Sequence, residues 1–203
     1  AESVSDRALQ SLPNEGKGSV LDAGSGEGYY LRHLAGKAGD KALAMIGVDI
    51  SKWAVLAAAK QDKQTRWVVG SNANLPVLPE SLDLVLCLFG FPVYGEFARV
   101  LKPGGQVIQV DAGADHLREL REIIYPELKS PGKTDSAAPE GFRQLDSTVV
   151  RFSVTLPDQE SIADLLAMTP HLYRASAEGL EKAAALDSLE VTVDVVLKSW
   201  EKS

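Results

Sequence analysis

The stretch Ser19-Val20-Leu21-Asp22-Ala23-Gly24-Ser25-Gly26-Glu27-Gly28-Tyr29-Tyr30 restricts this chain more than any other. Apolar and small residues lead into Asp22, as in a short buried strand. Gly24, Gly26 and Gly28 then alternate with Ser25 and Glu27, and a helix starts behind them. Glycines at this spacing let the backbone turn sharply and leave no Cβ between it and a ligand. The amides at the start of the next helix would face that ligand. Strand, glycine loop and helix in this order form the opening unit of an α/β protein.

The G-x-G-x-G spacing is not the G-x-G-x-x-G of dinucleotide-binding proteins. It suits a cofactor without a pyrophosphate, S-adenosylmethionine, with Asp22, Gly24, Ser25, Gly26, Glu27 and Gly28 as its floor. Asp49 sharpens the reading. It ends a second predicted strand over 42–48, about 20 residues beyond the loop, where a carboxylate can accept from both ribose hydroxyls. Ile50 follows it directly. Ser71 to Asn74 forms a loop after a third strand over 66–69, and Asn72 or Ala73 there is placed to read the adenine edge, an ordinary polar turn being the alternative.

The rest of the chain keeps the alternation. The spacing predicts helices over 3–12, 29–37, 51–60 and 93–101, with a fourth strand over 82–89 that is apolar almost throughout. Phe89-Gly90-Phe91-Pro92 lies at the carboxyl end of that strand, where open α/β sheets bind ligands. These four residues are the expected acceptor wall, and core packing serves Phe89 equally well. Lys102 to Gly105 reads as a turn that ends a helix, and 106–110 as the fifth strand, with Asp111 at its exit. A helix follows from about Asp115 to Leu128. Two long strands, 148–156 and 189–200, enclose helices over 158–168 and 176–185. The order predicts a three-layer α/β sandwich, Rossmann-like, whose seven-stranded, mostly parallel sheet closes with one reversed strand.

Length and charge narrow the classes. The 203 residues suit one domain, with 1–17 as an N-terminal helix and turn and 130–175 as a substrate-side insertion. A net charge of -7 argues against a surface that grips nucleic acid all over. One cysteine, Cys87 in an apolar run, can build neither a disulfide framework nor a cysteine zinc site, so no metal is expected. No apolar run approaches the roughly 18 residues of a membrane span. The expectation is a soluble cytoplasmic protein.

Val20 to Gly28, Asp49, the Lys102-Pro103-Gly104-Gly105 segment and the reversed last strand together resemble a class I S-adenosylmethionine-dependent methyltransferase. Several motifs resemble, more narrowly, the bacterial large-subunit ribosomal RNA guanine-N(1) methyltransferases. These are Ser25-Gly26-Glu27-Gly28-Tyr29-Tyr30, Asp49-Ile50-Ser51-Lys52, Phe97 to Gly105, His116-Leu117-Arg118-Glu119-Leu120 and Met168-Thr169-Pro170 with Tyr173-Arg174-Ala175. The resemblance runs from about residue 18 to the end. It implies cofactor contacts at Gly26, Glu27 and His116, with Asp49 at the ribose. It also implies methyl transfer to a guanine ring nitrogen of ribosomal RNA. The family carries a cysteine-rich zinc module ahead of this domain, which a chain with one cysteine does not hold. Phe91-Pro92 is shifted by one residue against the family's aromatic-Ala-Pro.

A guanine N(1) carries a proton that must leave, and a base within about 3 Å would help. Asp111 and His116 are the positional candidates, a turn or cap residue being the alternative for Asp111, while the family resemblance favours cofactor contact for His116. Arg66, Arg118, Arg121, Lys129 and Lys133 could form a basic rim for RNA phosphates, or belong to solvated faces. A small-molecule acceptor on the same fold, or a cofactor-binding relative without catalysis, are the competing readings.

Overall fold

In the computed structural model the described residues are 1–128, 138–169, 171, 172 and 174–203. They form seven strands and seven helices: α1 (Glu2–Ser11), β1 (Gly18–Ala23), α2 (Tyr29–Lys37), β2 (Leu43–Asp49), α3 (Lys52–Gln61), β3 (Arg66–Val69), β4 (Leu82–Leu88), α4 (Tyr94–Val100), β5 (Leu101–Ala112), α5 (Arg118–Ile124), β6 (Phe142–Leu156), α6 (Gln159–Ala167), α7 (Ala177–Ala184) and β7 (Leu189–Lys202). The sheet order is β3-β2-β1-β4-β5-β7-β6. β1 pairs in parallel with β2 and β4, β2 with β3, and β4 with β5.

β7 is the reversed strand. Lys202 Nζ reaches the Leu101 carbonyl, and Lys198 Nζ reaches Asp111, so numbers fall along β7 as they rise along β5. Against β6 the same reversal shows in Ser203 N–H donating to Gly141 O and in Arg143 pairing with Glu201.

Every residue of β4 is buried, which fits its place at the centre of the sheet and its unbroken apolar run. The residues fall into two compact units. The first holds 1–111, 138–148 and 197–203, and the second 112–128 and 149–196, each less the undescribed positions. Leu21, Val48, Val85, Cys87, Phe97, Val107 and Trp200 belong to the first unit's core. Leu120, Ile124, Ile162, Leu166, Ala183 and Val191 form that of the second. The second unit thus takes in residues on both sides of the 130–175 stretch.

Several boundaries differ from the sequence reading, among them the end of α5 at Ile124 rather than near Leu128. Lys102 to Gly105 is not a turn outside the sheet but an irregularity within β5. Leu82 pairs with Leu101 and Leu84 with Gln106, so the extra residues bulge out, and Gly104 takes φ 74°. α5 begins at Arg118 because Leu117 sits in the left-handed region at φ 50°. β6 begins at Phe142, six residues before the expected start, with Phe142 buried against Tyr94.

Candidate cofactor site

β1 delivers the site. Asp22 is its fifth residue, and in register it stands beside Gly47 of β2 and Leu86 of β4. Gly47 in turn stands beside Trp67 of β3. Asp22, Gly47 and Trp67 therefore share one row across three strands. The Asp22 carboxyl is buried, and among the described residues neither of its oxygens has a hydrogen-bond partner. Burial first, and then the charge of Asp49, push its pKa from an ordinary 3.8 up to about 7. Ser25 Oγ is likewise buried and unpartnered among the described residues. Buried polar groups are nearly always satisfied, so two such groups in one spot point to a polar ligand.

The glycine loop lies over this row. Gly24, Gly26 and Gly28 take φ 97°, 53° and 81°, conformations that side chains with a Cβ rarely adopt. A Cβ at Gly24 or Gly26 would meet nothing within 4 Å, so open space borders the loop. Gly28 has a second reason to be glycine. A Cβ there, or at Gly47, would overlap the Trp67 indole. Trp67 is pinned by its Nε1–H donating to Asp62 O at 3.0 Å, so the ring fills the space between the two glycines. Sequence reasoning missed Trp67. Its signal was Gly47, a glycine inside an apolar strand, which calls for close approach by a neighbour.

Asp49 ties the loop to the next helix. Its Oδ2 accepts from Gly26 N–H and its Oδ1 from Ser51 N–H, both at 2.8 Å. Each oxygen keeps a further lone pair for a hydroxyl. Ile50 beside it is 81% exposed, an apolar surface for a flat ring. Glu27 is exposed, with its carbonyl bonded to Arg32. Asn72 donates to Ala23 O and Phe91 O, 3.4 Å each, and so links the loop after β3 to the ends of β1 and β4, with Ala73 exposed next to it.

At the end of β4, Phe89 takes φ 56°, a strained conformation for an aromatic residue. Phe89 is half exposed and Phe91 is 90% exposed, with Gly90 and Pro92 between and behind them. Asp111 stands at the exit of β5. Its carboxylate accepts from Gln109 Nε2 at 3.0 Å and pairs with Lys198 Nζ at 3.3 Å. Gln109 is itself bonded by Tyr94 and Trp200. Burial and then the charge of Asp111 push the Tyr94 phenol up to about 12.

The first unit thus brings together Asp22, the glycine loop, Asp49, Ile50, Asn72, Ala73, Phe89 to Pro92 and Asp111. His116 belongs to the second unit. There its Nδ1 accepts from Asp194 N–H at 3.3 Å, and burial holds its pKa below the usual imidazole value. Of the basic rim, Arg118 is spoken for by Asp115 and Glu122. Lys129, Lys133, Pro170 and Tyr173 lie outside the described residues. Among the described residues no cluster of His, Cys, Asp and Glu is placed to hold a metal, and no helix is long and apolar enough to cross a membrane.

A parallel sheet with one reversed strand, a three-glycine loop after β1 and an acidic residue closing β2 define the class I, S-adenosylmethionine-dependent methyltransferase fold. Comparison with known proteins agrees. Residues 20–105 match the model of a family described as "Methyltransferase domain". YxjB of Bacillus subtilis (strain 168), provisionally named a 23S rRNA (guanine-N(1)-)-methyltransferase, is 35% identical over 87% of this chain and 64% of its own length. A malonyl-[acyl-carrier protein] O-methyltransferase of Hamiltonella defensa is 25% identical over 92% of this chain and 77% of its own. The YcgJ protein of Bacillus subtilis superposes with a TM-score of 0.60 over 100% of this chain and 99% of its own, at 18% identity, a likeness of fold. The chain has the class I methyltransferase fold and is similar in sequence to YxjB, of whose length it spans just under two thirds.

The cofactor of that class is S-adenosylmethionine, and the residues present fit it. Asp22 offers an orphaned carboxyl for its ammonium, Asp49 two oxygens for its ribose, and the glycine loop an approach free of side chains.

Proposed function

We propose that this chain is an S-adenosylmethionine-dependent methyltransferase whose acceptor is a guanine ring nitrogen of large-subunit ribosomal RNA. The observation that carries the cofactor half is the buried Asp22 carboxyl with no partner among the described residues, beneath a loop of three left-handed glycines. The acceptor half rests on the 35% identity to YxjB and on the exposed pair Phe89 and Phe91, which offer ring faces to a flat base.

When bound, the cofactor supplies a methyl group on a sulfonium, open to in-line displacement. The chain's own work is orientation. Asp49 and the loop amides hold the sugar and Asp22 holds the ammonium. Phe89 and Phe91 would present the base, which displacement at the methyl requires to be close and in line. Asp111 is the carboxylate available to take the proton from guanine N(1), with Gln109 and Lys198 fixing its direction.

A small-molecule acceptor is the second reading, favoured by the net charge of -7 and by the match to a malonyl-carrier methyltransferase. Incubation with labelled cofactor and an unmodified 23S rRNA transcript decides between them. Label in N(1)-methylguanine is the expected result. No label in the RNA, from protein shown to bind the cofactor, would overturn the acceptor.

A further inference from the structure

The second unit contains a cavity of about 340 Å³ lined by Arg121, Tyr125, Glu127, Leu128, His171 and Arg174. That volume is within the rough 300–1,000 Å³ range of small-ligand pockets. Two guanidiniums face one carboxylate in it, on a chain whose net charge is -7. Among the described residues neither Arg121 nor Arg174 has a carboxylate within ion-pair distance. Nearby arginines do. Arg118 pairs with Asp115 and Glu122, and Arg151 with Asp115. Arg121 Nη1 donates to the carbonyls of Ala114 and His116, at 3.0 and 3.1 Å, which orients the group. Tyr125 Oη and His171 Nδ1 are bonded at 2.8 Å and fix that part of the wall.

We propose that this cavity binds a phosphate group, of an RNA backbone or of a free nucleotide, through Arg121 and Arg174. Planar guanidiniums match phosphate oxygens in pairs, and a phosphate balances the excess positive charge of two guanidiniums beside the single carboxylate of Glu127. Burial, and then the charges of Arg121 and Arg174, hold the His171 pKa below its usual value. The site rests on the function proposed above only in expecting this ligand to be the acceptor.

The test uses the full chain and two probes. Guanosine 5′-monophosphate is titrated beside guanosine while amide resonances of Arg121, Tyr125, His171 and Arg174 are followed. A 23S rRNA hairpin is titrated by anisotropy over a series of salt concentrations. The nucleotide is expected to shift these resonances and the nucleoside not. Arg174→Ala is expected to weaken binding by roughly tenfold, the loss of one charged hydrogen-bonding group. If the hairpin weakens as well, and its salt slope falls by about one, the source is the RNA backbone. If only the nucleotide weakens, the source is a free nucleotide. Wild-type resonances unmoved by the nucleotide, or Arg174→Ala binding both nucleotide and hairpin as tightly as wild type, would overturn the site. S-adenosylhomocysteine titrated into the same wild-type sample reads the cofactor cradle separately, so failure there and failure here are distinct results.

Discussion

Asp22 shows how one residue trades stability for binding. Its carboxyl is raised from 3.8 to about 7 by burial, and then by Asp49. Between those values the folded chain holds a proton that the unfolded chain has released, so stability falls as pH rises through that window. The cost is absent below the unfolded pKa and complete above the folded one. Asp22→Asn removes it. In cofactor-free protein, the gain in Tm of Asp22→Asn over wild type should therefore be larger at pH 8 than at pH 5. An equal difference at both pH values would mean that the carboxyl is not buried uncharged. The same substitution should weaken cofactor binding, because an amide offers no charge to the ammonium. Asp22 stands out in the sequence by its place before the first glycine. Its missing partners do not, because only the register of β1 with β2 and β4 shows how completely it is enclosed.

At the scale of elements, helix approach decides two otherwise similar glycines. Gly179 in α7 lies against α5, where a Cβ would come within 2.5 Å of the Ile124 carbonyl oxygen. Gly36 in α2 has nothing within 4 Å of that position. Alanine is worth about 1 kcal/mol over glycine in a helix interior. Overpacking against a backbone atom that cannot yield costs about 1–3 kcal/mol. Gly36→Ala should therefore raise Tm and Gly179→Ala lower it, both read by thermal unfolding. A rise in both would contradict the close packing of α5 on α7. Most elements were readable from periodicity, and α2 and β3 match their expected bounds. The misses have local causes. The Lys102 to Gly105 bulge reads as a turn because glycine and proline mark both, and only pairing with β4 tells them apart. The left-handed Leu117 that delays α5 carries no sequence signal, since leucine favours a helix.

For the whole molecule, the class of fold was legible because a strand, a glycine loop, a helix and a strand closed by an acidic residue follow one another over residues 18–49. The residues around Asp111 were not, because Lys198 and Trp200 come from the far end of the chain and meet Gln109 and Asp111 only once β7 lies beside β5. Trp67 was hidden for the same reason, its role set by glycines on two other elements. The loop from Gly24 to Gly28 and the carboxylate of Asp49 are proposed together to hold S-adenosylmethionine. Calorimetric titration of S-adenosylhomocysteine into wild-type protein and into Asp49→Ala tests it most directly. Saturable one-site binding by wild type is expected, with an affinity lower by tenfold or more in the variant, from lost charged hydrogen bonds of about 1.5–3 kcal/mol. No heat of binding with wild type, or the same affinity in both proteins, would contradict it.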